Sequence, residues 1–130
     1  MIYASTFDNL VDLSINYLSP FSSEKLVIKR VLEVINMFEK AVSENPKSVH
    51  ISPHLSSLGM TNYREFTAQG FRILYRFEEA SDTIYVVVFC SQKQDLAQIL
   101  VDYCLLYKWF NSQATIRQEL ELTQALRFFI

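Results

Sequence analysis

The sequence predicts an α+β domain: an N-terminal helical hairpin packed on a small antiparallel β-sheet, with a helix or helices at the C-terminus. Three observations carry this. Val27, Ile28, Val31, Val34, Ile35, Phe38, Ala41 and Val42 recur at i, i+3, i+4 and i+7, the spacing of one helix face. From Phe71 the period switches to two, with Phe71, Ile73, Tyr75 and Phe77 alternating against Arg72, Leu74, Arg76 and Glu78. Residues 84–90 are apolar throughout, as suits a central strand covered on both sides.

In chain order, residues 2–4 read as a short opening strand. Ser5-Thr6-Phe7-Asp8 has the Ser-x-x-acid form of a helix start, and a first helix follows over 6–18 to Pro20. Ser22 or Ser23 caps a second helix over 23–44, with Glu24 in its first turn where the helix dipole favours an acid. Asn45-Pro46 stops it. Residues 47–62 read as a loop. Strands are expected at 63–69, 71–79 and 83–91, with Glu79-Ala80-Ser81-Asp82 as a turn. Asp95 caps a third helix with Leu96, Ile99, Leu100, Tyr103, Cys104 and Tyr107 on its apolar stripe, and 113–129 form a fourth helix.

The chain has 130 residues, enough for one domain with a real core. Half are hydrophobic, including 10 Phe and 7 Tyr, and only 2 Gly and 3 Pro interrupt them, which excludes a disordered chain. A net charge of -2 and a pI near 5.6 argue against a general grip on phosphates, so no direct nucleic-acid binding is expected. Cys90 and Cys104 both occupy apolar positions and read as buried thiols, not a disulfide. The N-terminus lacks the basic region of a signal peptide, and no apolar run nears the roughly 20 residues of a membrane span. The expectation is a cytoplasmic protein without membrane association.

Candidate chemistry is sparse. His50 and His54 are four apart, but Pro53 lies between them and nothing completes a ligand set, so no metal is expected. No phosphate loop, G-x-S-x-G or H-E-x-x-H occurs, and no cofactor is expected. Asp8 and Asp12 read as a solvated helix face. Arginines carry more weight. Arg72 and Arg76 share a sheet face, and Arg64 reaches that face if the register suits. Clustered guanidinium groups clamp phosphates or carboxylates. The alternative is pairing with Glu65, Glu78 or Glu79, and sequence leaves the two open.

The run Gly70-Phe71-Arg72-Ile73-Leu74-Tyr75-Arg76, with Leu58-Gly59, Arg64-Glu65, the apolar strand 84–89 and Lys93-Gln94-Asp95-Leu96, follows two helices. Together these resemble the RelE/ParE superfamily of bacterial toxins over about residues 2–107. The resemblance implies a toxin domain at 1–107 and a C-terminal extension at 108–130, expected to be helical. It also implies the toxin half of a type II toxin–antitoxin pair, with a cognate antitoxin as partner. RelE-type members cut messenger RNA on the ribosome, whereas ParE-type members poison DNA gyrase and are not nucleases.

Carried over residue by residue, the arginine after the family glycine is present as Arg72. The two lysine-like positions of the RelE-type site fall on Tyr63 and Glu65, its later arginine on Gln94, and its tyrosine near Leu100. Most of that set is missing. Cleavage by 2'-hydroxyl attack needs activation of that oxygen, charge stabilisation and a proton for the leaving group. Arg72 supplies one of these, with Arg64 and Lys93 as its available helpers. The resemblance therefore favours a ParE-like, non-enzymatic toxin with gyrase as target and Arg64, Arg72, Arg76 and Lys93 as contact residues. The alternatives are a RelE-like ribosome-dependent endonuclease and a non-toxic interaction domain. Self-association is a further possible mode of the chain. The apolar end Leu126-Arg127-Phe128-Phe129-Ile130 is expected to pack back onto the domain, with docking to a partner as the other reading.

Overall fold

The structure, a computed structural model, describes residues 1–57 and 59–100. Leu58, Cys104, every helix expected beyond residue 100, the 108–130 extension and its apolar end lie outside these residues. The architecture is α+β: helices at the N-terminus and a four-stranded mixed sheet. The elements are β1 (Ile2–Tyr3), α1 (Ser5–Leu18), α2 (Glu24–Glu44), α3 (Pro53–Ser56), β2 (Tyr63–Ala68), β3 (Phe71–Glu78), β4 (Thr83–Ser91) and α4 (Leu96–Ile99). A 3₁₀ turn over Ser19–Phe21, holding Pro20, separates α1 from α2.

The sheet order is β1-β4-β3-β2. The three strands β2, β3 and β4 pair antiparallel. The expectation of a purely antiparallel sheet is corrected at one edge, where β1 runs parallel to β4 through Ile2↔Tyr85 and Tyr3↔Val86. A two-residue strand shows no period of its own, so its direction is fixed only by the path of the chain into α1. Gln69 (φ 51°) and Gly70 (φ +83°) form the β2–β3 connection. Two left-handed residues in a two-residue loop match the twist of the flanking strands. The resulting register sets Arg64 opposite Tyr75 and Glu65 opposite Leu74.

Between Leu74 and Tyr75 the β3–β4 register shifts and Val87 becomes the extra residue of a bulge. The buried hydroxyl of Thr6 donates to the Val87 carbonyl at 3.1 Å, tying α1 to the bulge. Phe7 of α1 meets Phe89 edge-on at 5.8 Å, and Phe71 stacks on Phe89 at 5.3 Å. Phe38 of α2 packs on Tyr75 at 5.4 Å and Phe66 at 5.6 Å. This is the core that the two apolar periods predict.

Local details differ from the sequence reading. Ser5 is the first residue of α1, and Ala4, with no side-chain bond, holds the cap position. Ser23 caps α2 as expected, its Oγ accepting from the Leu26 amide at 3.2 Å. The loop after α2 contains one helical turn, α3, where Ser52 accepts from Leu55 and Pro53 opens the turn. Pro at the first helical position forfeits no bond, which is why a proline-bearing loop can hold this turn. Asp95 caps α4, accepting from the Gln98 amide at 3.3 Å.

Candidate functional site

Strand parity decides where the arginines go. Arg72, Leu74 and Arg76 alternate onto one face of β3, while Phe71, Ile73, Tyr75 and Phe77 take the face under α2. Arg64 lies opposite Tyr75, so it belongs to the second set and does not join Arg72 and Arg76. Its Nη1 donates to the carbonyls of Val49 (2.6 Å) and Lys47 (3.2 Å). Tyr75 donates beside it to the Pro46 carbonyl at 2.7 Å. Burial raises the Tyr75 hydroxyl pKa to about 12, partly opposed by the Arg64 charge. These bonds anchor the chain leaving α2. That chain then bonds along the β2 edge through Glu65 N to His50 O (3.1 Å) and Ser52 N to Tyr63 O (2.8 Å). An edge strand closed in this way offers fewer unpaired groups to a passing strand.

On the other face, Arg72 is almost enclosed. Its side chain is 13% exposed and that of Glu65 is 7% exposed, with Arg72 Nε 3.9 Å from Glu65 Oε2. That separation gives Coulombic attraction but no hydrogen bond, and Nε has no hydrogen-bond partner among the described residues. Glu65 Oε1 accepts from Ser52 Oγ at 3.1 Å. Cys90 lies directly across from Arg72 in the register. Burial pushes the Cys90 thiol up to about 12; Arg72 pulls it down and Glu65 pushes it further up. A thiol held this way is protonated and unreactive at neutral pH. Arg76 is engaged separately. Its guanidinium carbon stands 4.5 Å over the Tyr85 ring, and Nη1 lies 3.5 Å from Glu78 Oε2.

Lys93 stands apart from all three arginines' contacts. It lines an open cleft of about 240 Å³ with Leu18, Phe21, Ser22, Val27, Arg30 and Phe71. The structure thus distributes the four basic residues over separate settings: Arg64 on backbone carbonyls, Arg72 beside Glu65, Arg76 on Tyr85 and Lys93 in a cleft.

Four residues stand at the positions where the resemblance expects other side chains. Gln94 Oε1 accepts from the Ser91 amide at 2.8 Å and from the buried Ser14 hydroxyl at 3.0 Å, bracketing the end of β4 to α1. Leu100 is buried, as is Tyr63. Glu65 is buried too, which sequence reasoning missed, since a lone Glu in an alternating strand reads as exposed. The signal was its place opposite Leu74, on the face that also carries Arg72.

His50 and His54 gather no ligand set, and no cluster of three metal-binding side chains occurs among the described residues. Among the described residues, no helix is long and apolar enough to cross a membrane. Comparison of the chain with protein-family models and with curated proteins gives no match.

Proposed function

We propose that this chain is a ParE-like toxin of a type II toxin–antitoxin pair, acting by binding a cellular target and not by cutting RNA. DNA gyrase is the target the resemblance suggests, and a cognate antitoxin the partner that silences it. The finer fold reading belongs to the same proposal: a helical hairpin laid on the sheet, with helix continuing beyond Leu100 into the extension at 108–130. A cytoplasmic location goes with it.

One observation carries the choice of binding over cleavage. Arg72, the residue to which a nuclease reading would give the chemistry, is enclosed beside a buried carboxylate at 3.9 Å. A cation so neutralised offers little to an incoming phosphate, and the adjacent Glu65 charge repels one. The neighbouring positions support the same reading. Gln94 is spent on the β4–α1 bracket and Leu100 is buried, so neither supplies a proton donor or base.

The test uses the purified chain in two assays. Inhibition of gyrase supercoiling, with no codon-linked cleavage of messenger on programmed ribosomes, is the expected result. Codon-linked cleavage that disappears in Arg72→Ala would overturn it in favour of a nuclease. Inactivity in both assays, with no growth arrest on expression without the neighbouring gene, would leave an interaction domain instead.

A further inference from the structure

We propose that the cleft between the α1–α2 turn and the β4–α4 loop receives a short acidic segment of a protein partner. Arg30 and Lys93 hold its carboxylate, and an apolar side chain beside that carboxylate lies against Phe21. The proposal stands on the cleft alone and does not depend on toxicity.

The lining combines two chemistries. Leu18, Val27, Phe71 and Phe21 supply apolar surface, and Arg30 and Lys93 supply charge. Phe21 is 77% exposed, the largest exposure among the large apolar side chains of the described residues. Among the described residues its ring stands beside that of Tyr17, at a centroid separation of 6.4 Å. Neither Arg30 nor Lys93 has an ion-pair partner among the described residues. The other basic side chains of the sheet region are engaged: Arg64 on carbonyls, Arg72 with Glu65, Arg76 with Glu78 and Lys47 with Glu79. Lys25, Lys29 and Lys40 of α2 also lack an ion pair among the described residues, but Arg30 and Lys93 alone line this apolar cleft together, on a chain of net charge -2.

Size and charge together select the occupant. At about 240 Å³ the cleft is below the roughly 300–1,000 Å³ of small-molecule sites. It has room for side chains of a peptide and not for a cofactor. A nucleic-acid strand needs a track of cations along its backbone, and two cations in one small cleft do not make a track. A carboxylate flanked by an apolar residue matches both halves of the lining, the charge through charge-assisted hydrogen bonds and the ring through burial.

The experiment titrates the full chain with the peptide acetyl-Glu-Leu-Phe-Glu-amide and follows backbone amide shifts by NMR. Shifts should cluster at Phe21, Ser22, Val27, Phe71 and Lys93. Arg30→Gln and Lys93→Gln should each weaken binding by about tenfold. Both should leave the melting temperature unchanged, since both cations are exposed. The uncharged peptide acetyl-Gln-Leu-Phe-Gln-amide should bind about tenfold less tightly as well. Absence of clustered shifts at millimolar peptide, or equal binding of the uncharged peptide, overturns the proposal. Tighter binding of an oligothymidylate of about ten nucleotides to the same amides overturns it in favour of nucleic acid.

Discussion

The two faces of β3 come from one alternating strand and are stabilised differently. Under the helices, Phe38 meets Phe66 and Tyr75, and Phe71 meets Phe89, in ring contacts at 5.3–5.6 Å, with Ile73 buried on the same face. On the reverse, Leu74 is fully buried between two arginines, and each arginine is neutralised locally. The first face gains stability from apolar area removed from water and from edge-on ring packing. The second gains little net from its charges, because burying an ion costs about as much as its partner returns. The comparison teaches that an arginine on a strand is no measure of available charge. What counts is whether the opposite strand brings a carboxylate, and here it brings Glu65 to the most enclosed position.

The largest effect should come from the apolar face. Phe38 is wholly buried and touches both Phe66 and Tyr75. Phe38→Ala should lower unfolding free energy by about 4 kcal/mol in urea titration. A loss under about 1 kcal/mol would mean that α2 is not seated on the sheet through this ring.

Next comes the charged face. Glu65→Leu removes the neighbour of an Arg72 that is 13% exposed, and leaves Ser52 without its acceptor. The expected cost is about 3 kcal/mol. Glu65→Leu with Arg72→Met should recover most of it, ending within about 1 kcal/mol of the parent. If the double variant is no better than the single one, the two side chains are not coupled and the contrast between the faces fails.

Long periodic elements were legible in the sequence, and so were the shared face of Arg72 and Arg76 and the cover on both sides of β4. Each of these follows from a period repeated over many residues. The opening strand was expected at residues 2–4, but its parallel direction was not legible, because Ile2 and Tyr3 are too few to show a period. The α3 turn hid behind Pro53 in a stretch of loop composition. Arg64 was decipherable in principle. With Gln69-Gly70 as a two-residue turn, counting back from Ala68↔Phe71 pairs Arg64 with Tyr75 and sends it away from Arg72. The roles of Gln94 and Glu65 were not legible, since they depend on Ser14 and Ser52, which lie far off in sequence.

Alkaline pH sharpens the comparison further, because Cys90 reports on the charged face. Its thiol is pushed up to about 12 from an ordinary 9, mainly by burial. Folding therefore favours the protonated thiol. The contribution is fully present below about pH 9 and declines as pH rises toward 12, because the unfolded chain loses the proton first. At about pH 10 the loss should be near 1 kcal/mol. Tyr75, also raised to about 12 by burial, adds its own loss above its ordinary 10. The measurement is thus a difference: stability of Cys90→Ala should fall less steeply above pH 9 than that of the parent. Parallel curves would show that the thiol is open to solvent. In a Cys104→Ser background, iodoacetamide should also leave Cys90 unmodified until the chain unfolds.

The smallest effect is expected at the turn that keeps the two faces apart. A register slip of one residue would exchange Ile73 and Tyr75 with Arg72 and Arg76, placing guanidinium groups against Phe38. Two things oppose the slip: the left-handed Gln69-Gly70 turn and the burial of the apolar face. Gly70→Ala separates them. A Cβ at Gly70 meets nothing within 4 Å, so the cost is conformational alone. An alanine at φ +83° loses about 1–2 kcal/mol and regains about 0.4–1 from a stiffer unfolded chain, for a net loss of about 0.5–1 kcal/mol. The faces should stay as they are, because exposing Phe71, Ile73 and Tyr75 would cost several times that much. Unchanged protection of Cys90 from iodoacetamide in Gly70→Ala is the expected reading. If Cys90 becomes reactive while the chain stays folded, the turn and not the apolar face holds the register, and the contrast between the faces is a consequence of Gly70.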